Sequence, residues 1–91
     1  MSLTFEWDEE KAEEYERKHG VAFEEAKTIF NDPFSLTVYD PNHSVDEDRY
    51  LDLGLSSNGR ILVVSYTERN ENIRLISSRE ATSMERRNYE E

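Results

Sequence analysis

The segment Arg49-Tyr50-Leu51-Asp52-Leu53-Gly54-Leu55-Ser56-Ser57-Asn58-Gly59-Arg60-Ile61-Leu62-Val63-Val64-Ser65-Tyr66-Thr67-Glu68-Arg69 decides the fold of this chain. Two runs rich in aliphatic and aromatic residues flank Asn58-Gly59, a dipeptide that signals a tight hairpin. A two-residue type I′ turn there pairs Ser57 with Arg60. Leu51 then faces Tyr66, Leu53 faces Val64 and Leu55 faces Leu62. All six fall on one face of the sheet, as a register fixed by burial requires. The same register sets Arg49 opposite Glu68 as a cross-strand ion pair. Ile61 to Val64 is apolar on both faces, which predicts a central strand.

Toward the C-terminus, Asn70-Glu71-Asn72 turns the chain into a last strand, Ile73–Arg79. A loop of two residues and one of three fit equally well, so the faces taken by Arg74 and Arg79 stay open. Thr82-Ser83-Met84-Glu85 is a capping box, with Thr82 as N-cap and Glu85 at N3, and opens a final helix through Tyr89. Toward the N-terminus, Asp46-Glu47-Asp48 leads into the hairpin. A turn at Asp40-Pro41-Asn42-His43 and a strand over Phe34–Tyr39 precede it. Leu3, Phe5 and Trp7 alternate with polar residues as a short first strand. Asp8 caps a helix that begins with Glu9 and Glu10 and ends in Arg17-Lys18-His19 before Gly20, so every end signal agrees. Trp7, just before the N-cap, reads as a hydrophobic staple onto Ala12. A second helix, about Phe23–Asn31, carries its apolar stripe on Phe23, Ala26 and Phe30 and stops at Asp32-Pro33. Residues 1–91 thus read as a single α+β domain. A small antiparallel β-sheet is flanked by N-terminal helices and a short C-terminal helix, in the order β-α-α-β-β-β-β-α.

Residues 1–48 hold fourteen Asp or Glu against four Lys or Arg, whereas residues 49–91 hold seven of each. The whole net charge of −10 therefore resides in the first half. Every basic residue of the second half is arginine, whose planar fork suits carboxylate or phosphate. By composition alone these arginines read as surface ion pairs. With no cysteine, the chain has no disulfide, catalytic thiol or thiolate metal site. No apolar run approaches the roughly 18 residues of a membrane span, and no apolar signal segment opens the chain. The expectation is a cytoplasmic protein without membrane association.

No glycine-rich phosphate loop, serine elbow or HExxH motif occurs. Asp40-Asn42-Ser44-Asp46 superficially fits a calcium loop. It fails because Val45 stands where the turn needs glycine and Leu51 where a bidentate glutamate belongs. His19 and His43 lack partners at zinc-ligand spacing, so neither a metal nor a cofactor is expected. What remains is a set of charges at strand ends, Glu47, Arg49, Arg69 and Arg79, together with Lys18 and His19 on the preceding helix. Metal-free RNA cleavage needs such parts. A base takes the 2′-hydroxyl proton, cations stabilise the phosphorane, and an acid protonates the leaving oxygen. A partner-binding surface built from the same charges fits equally well.

Several segments in order resemble the BrnT family of type II toxin–antitoxin toxins. These are Phe5-Glu6-Trp7-Asp8, Lys18-His19-Gly20-Val21 with Phe23-Glu24-Glu25-Ala26, His43-Ser44 to Glu47, and Arg49-Tyr50. Asn58-Gly59-Arg60, Tyr66-Thr67-Glu68-Arg69, Ile73 to Arg79, Glu85-Arg86 and Tyr89 continue the pattern. Ser78 stands where the family usually has alanine, and Tyr15 where asparagine is common. The resemblance implies a RelE-like fold and a ribonuclease that halts growth by cutting RNA. It also implies neutralisation by a BrnA-type antitoxin in a heterotetramer, with operator DNA bound only through the antitoxin. By the same resemblance Lys18 and His19 would serve substrate binding or proton transfer. Arg49, Arg69 and Arg79 would hold the phosphate, and Glu47 would orient an arginine or act as a base. A second reading is a non-catalytic interaction module whose fourteen carboxylates in the first half steer a basic partner.

Overall fold

The computed structural model describes residues 3–91. The chain forms β1 (Phe5–Glu6), α1 (Glu9–His19) and α2 (Phe23–Ala26), the last passing directly into a 3-10 turn at Lys27–Asn31. It continues through β2 (Leu36–Tyr39), a 3-10 turn at Pro41–His43, β3 (Arg49–Leu55), β4 (Ile61–Arg69), β5 (Asn72–Glu80) and α3 (Ser83–Glu90). The α+β class and the element order match the sequence reading. The end signals of α1 are present as read. The Asp8 carboxylate accepts from the Glu10 and Lys11 amides, and Gly20 closes the helix with φ 70°. Both bonds of the Thr82–Glu85 capping box form at α3.

One sheet runs in the order β1-β5-β4-β3-β2, with β4 at its centre as its two apolar faces predict. β2 to β5 pair antiparallel, but β1 pairs parallel with β5 through Phe5–Ile73 and Glu6–Arg74. The wholly antiparallel sheet is therefore corrected at this edge. The parallel sense lets Phe5 reach Phe30, with ring centroids 5.2 Å apart, while the chain leaves β1 directly for α1, which packs on β5.

The hairpin register also differs from the predicted one. Leu51 pairs with Ser65, Leu53 with Val63, Leu55 with Ile61, and Arg49 with Thr67 rather than Glu68. A type I′ turn needs positive φ at both central residues, and only Gly59 has it, at 81°. The Ser56 amide donates to the Arg60 carbonyl at 2.7 Å, closing a loop of Ser57, Asn58 and Gly59. Side chains enforce this closure. Ser56 Oγ accepts from the Asn58 and Arg60 amides and donates to the buried Glu25 at 2.7 Å. Arg60 binds Glu25 through Nε at 3.0 Å and through Nη2, while Nη2 also donates to the Gly20 carbonyl. Donation from Arg60, opposed by burial and reinforced by Ser56, holds the Glu25 carboxyl below the usual range.

A one-residue slip turns β3 over relative to β4. Tyr50, Asp52 and Gly54 face the helices with Leu62, Val64 and Tyr66, and the three leucines face the opposite side. The core under the helices contains Val21, Phe23, Ala26, Ile29, Leu62, Val64, Tyr66, Ile73 and Leu75. Gly54 is needed there, because a Cβ would stand 3.1 Å from Ile29 Cβ and 3.3 Å from its carbonyl oxygen. Asp52 is buried and accepts from Thr37 Oγ1 at 2.7 Å and Tyr66 OH at 3.0 Å. Burial outweighs those bonds and pushes its carboxyl up.

The opposite turn is the true type I′ hairpin. Asn70 and Glu71 have φ of 48° and 72°, so Arg69 pairs with Asn72. β5 then makes a bulge: Ser65 pairs with Ser77 but Tyr66 with Leu75, leaving Ile76 as the extra residue. The two devices settle the faces of the last strand. Arg74, paired with Thr67, and Arg79, paired with Val63, both fall on the side away from the core. Trp7 packs edge-on against Phe23, with centroids 5.9 Å apart, and donates Nε1–H to Glu9.

Candidate active site

The sheet face away from the core carries Arg49, Thr67 and Arg74 in one row across β3, β4 and β5. Arg69 follows on the same face two residues beyond Thr67. The segment between β2 and β3 folds over this end of the sheet. Ser44 Oγ donates to the Asp40 carbonyl at 2.6 Å and accepts from the Arg49 amide at 2.9 Å. Thr67 Oγ1 holds the Asp48 carbonyl at 2.6 Å, and Tyr39 OH holds the Asp48 carboxylate at 3.1 Å. These bonds fix Glu47 and His43 over the arginine row.

A groove results, made of three hollows of about 450, 310 and 170 Å³, all lined by Arg49. His43, Glu47 and Arg69 form one wall; Lys11, Tyr15 and Arg74 form the other; the bulged Ile76 and Ser77 lie between them. The bulge thus shapes the groove floor as well as the strand phase.

Arg69 is tied to Glu47, with Nε at 3.3 Å and Nη2 at 3.2 Å from Oε2. Arg74 lies 3.6 Å from Glu6. Arg49 is held most loosely. Its Nη2 is 4.0 Å from Glu47 Oε1, and its buried Nε has no hydrogen-bond partner among the described residues. A buried donor without a partner is unusual, and it leaves the Arg49 guanidinium less firmly held than those of Arg60 and Arg79. His43 Nδ1 lies 2.8 Å from Asp40 Oδ2. With Nδ1–H donating to that carboxylate, Nε2 is the free nitrogen of the ring.

Of the residues singled out in the sequence, the structure brings together Glu47, Arg49 and Arg69. Lys18 and His19 end α1, and neither lines the groove. Lys18 is exposed and 3.7 Å from Glu14. His19 stacks on Tyr15, itself a groove residue, with centroids 6.0 Å apart and planes inclined by 18°. Arg79 faces the same side of the sheet but four residues along β4 from the arginine row, about 13 Å away. Its guanidinium grips Glu85 through Nη1 at 2.8 Å and Nη2 at 2.9 Å, anchoring α3. That donation, reinforced by the Thr82 amide against the effect of burial, lowers the Glu85 carboxyl to about 2.

His43, Asp40, Lys11 and Arg74 are among the groove residues that pattern reading did not select. The Asp40-Pro41-Asn42-His43 turn placed an acid three residues before a histidine on a short helical turn, a spacing at which the side chains meet. That signal was available in the sequence. For Arg74 the face depended on a loop length that the sequence left open.

Residues 7–85 match the family model described as "Ribonuclease toxin, BrnT, of type II toxin-antitoxin system". The fold matches the crystal structure of the Brucella abortus ribonuclease toxin BrnT with a TM-score of 0.65 and 21% identity. That match covers 90% of this chain and 100% of the Brucella chain. None of the curated proteins matches the chain. No helix among the described residues is long and apolar enough to cross a membrane.

Proposed function

Since the chain belongs to the BrnT family of ribonuclease toxins of type II toxin–antitoxin systems, we propose that the groove around Arg49 binds an RNA phosphate and cleaves the chain there. The observation carrying this reading is the Arg49 guanidinium, partly exposed in a hollow it shares with Arg69 and Arg74 and without a close carboxylate partner. Arg49, whose side chain is 34% exposed and whose nearest carboxylate stands 4.0 Å away, offers its guanidinium to the phosphate. Arg69, steadied by Glu47, adds a second cation for the charge that grows on the phosphorane. His43, oriented by Asp40, accepts the 2′-hydroxyl proton at Nε2. O2′ then bonds to phosphorus as the bond from phosphorus to O5′ breaks, and the leaving oxygen takes a proton from solvent. The products are a 2′,3′-cyclic phosphate and a 5′-hydroxyl, and the step uses no metal.

Lys18 and His19, which stacks on Tyr15, lie beyond the groove at the end of α1 and are assigned to a flanking phosphate. Arg79, held by Glu85, is assigned to anchoring α3. An antitoxin protein neutralises the toxin. A BrnA-type partner, a heterotetramer, operator DNA bound through the antitoxin and a cytoplasmic location complete the reading.

The test is RNA cleavage by the purified, antitoxin-free protein in the presence of a metal chelator. Cleavage is expected, and Arg49→Ala should slow it by about a hundredfold or more at unchanged melting temperature. Arg79→Ala should lower the melting temperature. RNA left intact at all salt concentrations, or full activity in Arg49→Ala, would overturn the reading. The net charge of −10 favours one alternative, a non-catalytic module that binds a basic partner. A tight antitoxin complex without any cleavage would support it.

A further inference from the structure

We propose that the free edge of β2 takes a sixth strand from a positively charged, extended segment of a partner protein. β2 is the outermost strand of the sheet, and all four of its residues are exposed. The Asp40 amide donates to the Arg49 carbonyl at 2.9 Å, which sets the phase of the ladder with β3. In that phase Leu36 and Val38 exchange bonds with Leu53 and Leu51. Thr37 and Tyr39 therefore turn their backbone N–H and C=O groups outward, where a further strand would meet them.

Edge strands are normally protected by charge, proline or a bulge. Leu36-Thr37-Val38-Tyr39 has none of these. Instead, Phe34 is 74%, Leu36 42%, Val38 58% and Tyr39 47% exposed, within six residues of sequence. Leu36 and Val38 lie on the groove face, continuous with Leu51 and Leu53 of β3, so an added strand finds apolar neighbours on that side.

Charge selects the occupant. A second copy would bring −10 against −10. It would also meet Asp40, Asp46 and Asp48 at the Tyr39 end of the strand, where Tyr39 itself holds Asp48. A segment with Lys or Arg at alternate positions meets those carboxylates favourably. Bound there, it would lie two strand spacings, about 10 Å, from β3 and its Arg49. Docking is thereby adjacent to the groove without depending on what the groove does.

The experiment uses the full chain and two synthetic probes, a peptide of alternating Val and Lys and its Val and Glu counterpart. Binding is followed by fluorescence anisotropy and by amide hydrogen exchange. The Val/Lys peptide should bind and slow exchange at Thr37 and Tyr39, while the Val/Glu peptide should not bind. Val38→Lys should weaken binding by about tenfold through like-charge repulsion. Tyr39→Pro should abolish it, since it removes an outward N–H that the sheet itself does not use. If Tyr39→Pro fails to fold, Val38→Lys decides alone. Equal binding of both peptides, no binding of either, or protection that spares Thr37 and Tyr39 would overturn the proposal. So would a dimer of the chain alone that Val38→Lys dissociates.

Discussion

Arginine occurs seven times in the second half of the chain, and surroundings separate the roles of Arg49, Arg60 and Arg79. Arg60 and Arg79 each close a two-pronged grip on one glutamate, Glu25 and Glu85, and join a helix to the sheet. Arg49 has only a distant carboxylate at 4.0 Å and a buried, unpartnered Nε. Fixed geometry and permanent charge make either role possible, and satisfied donors distinguish them. His43 is the residue whose substitution separates chemistry from binding. We expect His43→Asn to lower kcat by about 10²- to 10⁴-fold while leaving KM near its original value. Steady-state kinetics on a short RNA checks this, and an equal rise in KM would instead make His43 a binding residue.

Among the elements, the two hairpin turns exchange the roles that their sequences suggest. Asn58-Gly59 sits in a three-residue loop because Ser56 and Arg60 are committed to Glu25. Asn70-Glu71 forms the tight turn although Glu71 must hold φ at 72°. A non-glycine residue in that region is strained, so Glu71→Gly should stabilise the fold by about 0.5–1 kcal/mol, read as a raised urea midpoint at unchanged slope. α3 buries no residue and depends on its polar anchors. Tyr89 OH donates to Asp32, which also accepts from the Leu55 amide at 2.8 Å; the bond to Asp32 pushes the Tyr89 phenol up to about 12. Glu85 falls from its ordinary 4.5 to about 2 in the folded chain. The stability its ionised form gives is thus complete above about 4.5 and is lost as pH falls through about 2. Protection of the α3 amides relative to their intrinsic exchange rate should fall across that window before the sheet responds, and Glu85→Gln should remove the step.

At the scale of the whole molecule, the acidic excess repels nucleic acid while the groove offers a few cations of its own. Arg49 and Arg69 are the two nearest the proposed phosphate. Two phosphates of a single strand, one held by Arg49 and Arg69 and one flanking at Lys18 and His19, give a log–log salt slope of about −1.4. Screening of the net charge of −10 should flatten it further. RNA binding measured from low to physiological salt should therefore show a slope between zero and about −1.4. A slope several times steeper would mean that a basic surface other than this groove does the binding.

Local signals determined much of this protein. The Asp8 cap with Gly20, the Thr82–Glu85 box and the Pro33 stop act within a few residues, so they could be read directly and formed as read. The element order followed, because alternation and capping are properties of contiguous sequence. Glu47, Arg49 and Arg69 were legible as charges at strand ends. Tertiary structure decided which face each strand presents. Register depends on loop length, and the loop at Asn58-Gly59 is set by Glu25, more than thirty residues away. The bulge at Ile76 adds a second change of phase that no local pattern announces. The loop turned the leucines of β3 outward, the bulge brought Arg79 to the outer face, and the two-residue turn at Asn70-Glu71 put Arg74 into the groove. The pairing that leaves Arg49 open and Arg79 closed likewise belongs to contacts across the sheet, not to the order of residues along it.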